Sequence, residues 1–146
     1  MVRGLGAAER ECHPMTSRSP VDLCPCGSGK RLDDCCGPYL ANVAPAPTAE
    51  ALMRSRYSAY ALGCEPYLLA TWHASTRPAT LDLGTEPQPR WIGLTIKRGA
   101  MQDDDHAVVE FVATYKMGGR ASRMHEVSRF VRESGRWFYV EGDVTQ

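Results

Sequence analysis

The sequence predicts an α+β protein in which a small cysteine-rich knuckle precedes two helices and a curved, four-stranded antiparallel sheet packed on those helices. Three features of the sequence lead to this prediction. Four cysteines lie within thirteen residues, from Cys24 to Cys36. Apolar residues then recur at intervals of three and four along residues 48–62, which is typical of one buried helical face. From Trp91 onward the period changes to two, which is typical of half-buried strands.

The clustered cysteines form a candidate metal site, and its expected ligands are Cys24, Cys26, Cys35 and Cys36. Pairs this close in sequence do not easily reach the Cα separation of about 5.5 to 6 Å that an unstrained disulfide needs. Four thiolates can instead fill a tetrahedral shell around Zn²⁺ at about 2.3 Å, which leaves no position open for a substrate. We therefore expect a structural or docking zinc site. A redox-active thiol cluster, an iron–sulfur site and a Cu(I) site are the alternatives.

Further predictions concern two basic residues near the cluster and the two cysteines outside it. Four thiolates and Zn²⁺ sum to a formal charge of −2, and we expect Lys30 and Arg31 to offset part of it. Cys12 and Cys64 have no close partners in the sequence. We expect both to be free thiols, with Cys64 packed in the interior.

Length and composition define the domain organisation. A chain of 146 residues holds one ordinary domain and a small appendage. We expect a flexible leader at residues 1–20 with Met15 as an alternative start, the knuckle at 21–40, a linker at 41–47 and an α+β domain at 48–146.

The 17 basic residues equal the 17 acidic ones, which gives no support for nucleic-acid binding. No apolar run is long enough to span a bilayer and no signal peptide is apparent, so we expect a cytoplasmic protein.

Two helices are expected at the start of the α+β domain. Thr48 can cap a first helix at residues 48–62, and Gly63 lies where a left-handed stop is expected. Pro66 suits the first turn of a second helix, Tyr67 to His73. Three prolines indicate that residues 74–90 form a long loop.

Four strands follow, at residues 91–97, 106–117, 123–132 and 137–140. A polar loop around residues 102–105 separates the first two. Gly118-Gly119 and Ser134-Gly135 are tight-turn signals between the others. Alternation predicts a shared face for Ile92, Leu94 and Ile96 in the first strand. In the second strand it predicts one face made by Val109, Phe111, Ala113 and Tyr115.

Two parts of the chain, the cysteine-rich run and a set of segments in the α+β domain, are similar to known families. The run from Cys24 to Gly37 resembles the SEC-C motif, the zinc knuckle named for the carboxyl terminus of the SecA preprotein translocase motor, in the variant that ends in cysteine at Cys36. Residues 47–60, 70–73, 125–130 and 137–142 resemble the bacterial YchJ-like family. This resemblance implies a SEC-C knuckle followed by a nuclear-transport-factor-2-like (NTF2-like) cone. It implies a fold and a metal but no reaction.

A cone of this kind implies an apolar pocket between the first helix and the concave face of the sheet. The candidate pocket residues are Arg56, Tyr57, Tyr60, Trp72, His73, Glu126 and Tyr139. Arg56 lies near the buried helical face and needs a carboxylate, for which Glu126 is the expected partner. Their pair is either a structural link or an anion-binding or acid–base pair. His73 is either a proton carrier at the rim or a hydrogen-bonded packing residue.

The leading functional hypothesis is a zinc-binding, non-enzymatic adaptor of the bacterial cytosol whose knuckle docks a protein partner. By analogy with SecA, that partner would be a chaperone, a translocase or a ribosome-associated protein. The alternatives are a small enzyme or ligand-binding protein that uses the pocket, and a protein that stores or senses metal. The resemblance to cone folds also implies a homodimer through the exposed sheet face.

Overall fold

The computed structural model describes residues 23–41, 44–81 and 89–145. The predicted leader, the alternative start at Met15 and the prediction for Cys12 lie outside the described residues. Cys64 is buried as expected, with 2% of its surface exposed. Its sulfur is disulfide-bonded, so the prediction of a free thiol is wrong for this residue.

The amino-terminal module is a compact knuckle built on one turn and one short helix. A 3-10 turn at Leu32–Asp34 leads into helix α1, Gly37–Leu40. Leu32 and Leu40 are buried, at 3% and 1% exposure, and belong to the same apolar core as the following helix. The knuckle is therefore packed on the α+β domain.

Two helices follow, α2 at Ala49–Leu62 and α3 at Glu65–Ala70. The Thr48 hydroxyl accepts a hydrogen bond from the Ala51 amide at 3.0 Å, and Gly63 adopts a φ of 76°, so both predicted ends of α2 are confirmed. Pro66 is in the first turn of α3, but this helix begins and ends earlier than predicted.

The early end of α3 has a long-range cause. The His73 amide donates to the Tyr139 carbonyl at 2.7 Å, and the Tyr139 amide donates to the Thr71 carbonyl at 2.8 Å. These bonds hold residues 71–73 beside the last strand, where Trp72 and Tyr139 form an isolated parallel bridge. Trp72 and His73 therefore lie beyond the helix.

The sheet has four antiparallel strands in the order β1-β2-β3-β4. They are β1 at Arg90–Asp103, β2 at His106–Met117, β3 at Arg120–Glu133 and β4 at Arg136–Thr145. The predicted turns at residues 118–119 and 134–135 are confirmed, since all four residues have positive φ. Strands β1, β3 and β4 are longer than predicted, because their ends are mostly exposed and lack an apolar alternation.

A register shift between Trp91 and Gly93 changes which residues of β1 face the helices. It moves Trp91 to the inner face beside Leu94 and Ile96, where all three pack against the core. Ile92 is 47% exposed, so the predicted grouping of Ile92 with Leu94 and Ile96 is wrong.

Helix α2 contacts β1, β2 and β4, and the main apolar core lies between this helix and the inner face of the sheet. The predicted inner face of β2 is confirmed for Val109, Phe111 and Ala113, which are each at most 3% exposed, and Tyr115 is partly buried against Trp91. The arrangement is the predicted α+β class. Within the described residues, no helix is both long and apolar enough to cross a bilayer.

Candidate functional site

The four predicted metal ligands converge on one point. The Sγ atoms of Cys24, Cys26, Cys35 and Cys36 all lie within 4.8 Å of one another. The distance from Cys26 Sγ to Cys35 Sγ is 3.6 Å, and that from Cys35 Sγ to Cys36 Sγ is 3.9 Å. Sulfurs at about 2.3 Å from a tetrahedral Zn²⁺ are about 3.8 Å apart. The cluster therefore has the dimensions of a four-sulfur metal site.

Local backbone structure builds this cluster. The Cys24 amide donates to the Lys30 carbonyl at 2.8 Å and closes the loop that carries the first two sulfurs. Gly27 turns this loop with a φ of 82°, a conformation that favours glycine. Cys35 and Cys36 lie at the junction between the 3-10 turn and α1, which aims both sulfurs at the loop.

Burial and mutual hydrogen bonds set the ionisation of the thiols in this cluster. Cys24, Cys26 and Cys36 are at most 4% exposed, and Cys35 is half-buried. Hydrogen bonds from Cys24 and then from Cys36 lower the pKa of Cys26. Hydrogen bonding with Cys24 and Cys26 raises the pKa of Cys36, and burial raises the pKa of Cys35. Four neighbouring thiolates repel one another, so their joint ionisation requires a cation between them.

Helix α2 supplies the groups around the sulfurs. Arg54 Nη1 donates to the Cys26 carbonyl at 3.0 Å and lies 3.8 Å from Cys26 Sγ. Ser58 Oγ lies 3.4 Å from Cys24 Sγ. Burial alone would lower the pKa of Arg54, but its hydrogen bonds to Cys26 and Glu50 outweigh burial and raise it.

Arg54 is therefore a cation beside Cys26 in addition to the expected Lys30 and Arg31, and Lys30 lines a surface recess together with Cys35 and Cys36. The Lys30 side chain is exposed, and Arg31 lies 3.9 Å from Asp33 in a surface pair. The sequence contained a usable signal, because Arg54 and Ser58 are four residues apart and share one face of α2.

A second site lies between α2 and the inner face of the sheet, where a cavity of about 270 Å³ is present. Its walls come from α2 and from all four strands. The lining residues are Met53, Arg56, Tyr57, Tyr60, Trp91, Phe111, Ala113, Met124, Glu126, Ser128 and Tyr139. Five of the seven candidate pocket residues are among them. The other two, Trp72 and His73, do not line this cavity.

Glu126 lies in this cavity as a buried carboxylate, 8% exposed. Its Oε2 accepts hydrogen bonds from Ser128 Oγ at 2.6 Å and Tyr139 Oη at 3.2 Å. Burial raises the pKa of Tyr139, and the nearby Glu126 charge adds to this shift. Gly142 on β4 makes room for the carboxylate, because a Cβ there would lie 2.7 Å from Glu126 Cδ.

Arg56 and Glu126, which are both within the described residues, do not form the predicted ion pair. Its Nη1 donates to the Leu68 carbonyl at 2.8 Å and to Thr71 Oγ1 at 2.7 Å, since the end of α3 offers unused acceptors there. The guanidinium carbon lies 4.6 Å from the centre of the Tyr139 ring. Burial lowers the pKa of Arg56, which is 3% exposed.

Trp72 and His73 occupy positions outside the cavity. The Trp72 ring packs edge-on against Tyr139, with ring centres 5.0 Å apart. His73 Nε2 lies 2.9 Å from Glu133 Oε2, in a separate surface recess. The expected proton carrier is therefore not brought together with Glu126 and Arg56.

Sequence reasoning missed several cavity residues for different reasons. Trp91 reaches the cavity only through the β1 register shift, for which Gly93 within the strand was the available signal. Ser128 alternates with Glu126 along β3, so its place on the same face follows from strand periodicity.

Comparisons with known proteins agree with this architecture. Residues 48–142 match the family model described as YchJ, middle NTF2-like domain, and residues 22–38 match the SEC-C motif. A UPF0225 protein from Chromobacterium violaceum is 61% identical over 123 residues, which cover 82% of this chain and 90% of that protein. A UPF0225 protein from Cupriavidus metallidurans is 57% identical over 129 residues, which cover 84% and 89%.

Two solved structures share the fold. The solution structure of a SEC-C motif containing protein from Rhodopseudomonas palustris matches with a TM-score of 0.75 and 37% identity, over 84% of this chain and 98% of that one. The crystal structure of a SEC-C motif containing protein from Psychrobacter arcticus matches with a TM-score of 0.72 and 27% identity, over 86% and 84%. The predicted resemblance is confirmed, and the chain belongs to the YchJ family, with a SEC-C motif ahead of an NTF2-like domain.

Proposed function

We propose that this protein is a zinc-binding, non-enzymatic adaptor of the bacterial cytosol whose knuckle docks a protein partner. The observation that carries the proposal is the convergence of four cysteine sulfurs within 4.8 Å. Four protein ligands saturate a tetrahedral ion, so no coordination position is left for water or a substrate. A metal held in this way fixes the shape of a surface and takes no part in a reaction.

The surface that this metal would fix is the knuckle tip, which we define as Leu23, Lys30 and Arg31. All three are exposed, and Leu23 has 61% of its surface accessible although it is apolar. The Leu23 and Arg31 backbones pair in an isolated antiparallel bridge next to the buried sulfurs. An exposed leucine beside two cations suits a partner with an apolar patch and acidic residues. A chaperone, a translocase or a ribosome-associated protein is the proposed class of partner.

A catalytic alternative has less support from the geometry. Arg56 and Glu126 share the cavity, but His73 is bonded to Glu133 outside it. An acid–base enzyme of the expected kind needs the proton carrier within reach of the other two groups. The non-enzymatic proposal needs no such contact.

Affinity capture with matched variants tests docking separately from folding. The Lys30→Glu, Arg31→Glu variant reverses two charges of the knuckle tip and keeps all four sulfurs. The Lys116→Glu, Arg120→Glu variant makes the same change at exposed positions of the β2–β3 hairpin and serves as the control. Both should hold the same amount of zinc.

The proposal predicts that one set of partners is captured by the intact chain and by the hairpin variant and is lost with the tip variant. The same set should be lost with Cys35→Ser, Cys36→Ser. Equal capture by the intact chain and both knuckle variants would refute docking through the knuckle.

A further inference from the structure

The cavity between α2 and the sheet has the features of a small-molecule binding site, independent of the role of the knuckle. Its volume is about 270 Å³. An apolar protein cavity of about 150 Å³ holds benzene, so this one has room for about ten non-hydrogen atoms. Five of the eleven lining residues contribute aromatic rings: Tyr57, Tyr60, Trp91, Phe111 and Tyr139. Such walls favour a flat ring over a flexible chain.

Glu126 gives this cavity a polar anchor. The carboxylate is more than nine-tenths buried, and only its Oε2 accepts hydrogen bonds from described protein groups, those of Ser128 and Tyr139. Oε1 has no protein donor among the described residues. A buried carboxylate oxygen without a donor is costly, so a ligand that brings an N–H or O–H group gains a strong hydrogen bond there.

The charges around the cavity select an uncharged ligand. Arg56 and Glu126 both line it, are both buried and carry opposite charges. One basic and one acidic side chain leave the cavity with no net charge, so a cationic or an anionic ligand would give this buried site a net charge. A third buried charge without a partner is strongly unfavourable. A neutral molecule avoids both costs.

We propose that this cavity binds a planar, uncharged aromatic molecule of about ten non-hydrogen atoms that donates one hydrogen bond to Glu126. Indole and indene are suitable probes, because their fused rings have nearly the same shape and only indole carries an N–H donor. Titrations of each into the full-length, zinc-loaded protein are followed through backbone amide NMR shifts. Indole should bind saturably and at least about tenfold more tightly than indene, the factor expected for one hydrogen bond to a charged group.

Three variants locate the site. Glu126→Gln should reduce the preference for indole over indene several-fold, because an amide is a weaker acceptor than a carboxylate. Glu110→Gln is the matched control, since Glu110 alternates with Phe111 and pairs with His125 and Arg98 away from the cavity. It should leave both affinities unchanged. Ala113→Leu fills part of the cavity and should weaken both probes together.

The intact protein and Glu126→Gln decide the proposal even if Ala113→Leu does not fold. The proposal is overturned if indole shows no saturable shifts up to its solubility limit, or if it binds no better than indene. It is also overturned if Glu126→Gln keeps the full preference for indole.

Discussion

Replacing Gly142 by alanine tests whether the buried carboxylate of Glu126 is held as tightly as its contacts indicate. A Cβ at this position would lie 2.7 Å from Glu126 Cδ and 3.0 Å from its Cγ, so the carboxylate would have to move. Moving it breaks the hydrogen bonds from Ser128 Oγ and Tyr139 Oη. Hydrogen bonds to a charged group contribute about 1.5 to 3 kcal/mol each. Alanine recovers about 0.5 to 1 kcal/mol over glycine in a strand, so with both bonds lost we expect a net loss of about 2 to 5.5 kcal/mol.

Urea unfolding of the zinc-loaded protein measures this loss as a lower midpoint at an unchanged slope. Gly99→Ala is the control, because Gly99 is also a strand glycine and its added Cβ would meet Glu50 Oε1 at an ordinary 3.9 Å. A double-mutant cycle isolates the cause: with Glu126→Ala already present, Gly142→Ala should cost less than about 1 kcal/mol. The reasoning is refuted if Gly142→Ala is as stable as Gly99→Ala, or if its cost is the same without the Glu126 side chain.

Three further predictions concern the knuckle and the helices. Arg54→Gln removes the cation beside Cys26 and should weaken zinc binding by about tenfold in a competition titration with a chelator; equal affinity would count against this role. Burial raises the pKa of Tyr67 to about 12, so folding favours its neutral form, and stability present below pH 10 is lost as the pH rises through 12. Tyr67→Phe should reduce the loss of unfolding free energy between pH 10 and 12, measured by urea unfolding at a series of pH values. An unchanged loss would contradict this role of Tyr67. Stripping the metal under reducing conditions should abolish hydrogen-exchange protection at residues 23–41 and preserve it in β2 and β3, whereas uniform loss would show that the sheet depends on the metal.

The parts of the fold that the sequence predicts correctly depend on local signals. Four cysteines in thirteen residues, the Thr48 cap, the left-handed Gly63 and the glycine-containing turns each act within a few residues. The end of α3 has no such local signal. It depends on hydrogen bonds between residues 71–73 and Tyr139, which is more than sixty residues away. The β1 register shift similarly arises from pairing with β2, so periodicity assigned Ile92 to the wrong face.

The same distinction applies to the candidate sites. The four sulfur ligands follow from their spacing, whereas Arg54, the cation 3.8 Å from Cys26 Sγ, comes from α2 and is distant in sequence. Burial of Arg56 and Glu126 could be predicted from helical and strand periodicity. Their partners could not, because the Leu68 carbonyl and the Tyr139 hydroxyl are placed by tertiary packing.

The central claim is that four cysteine sulfurs hold one divalent ion at the amino-terminal module. Elemental analysis of the purified, reduced protein tests it most directly, with Cys36→Ser as the comparison. We predict one zinc ion per chain in the intact protein and a clear loss of zinc in the variant. A protein that is folded and reduced but carries no stoichiometric metal, even after incubation with zinc and gel filtration, would contradict the claim.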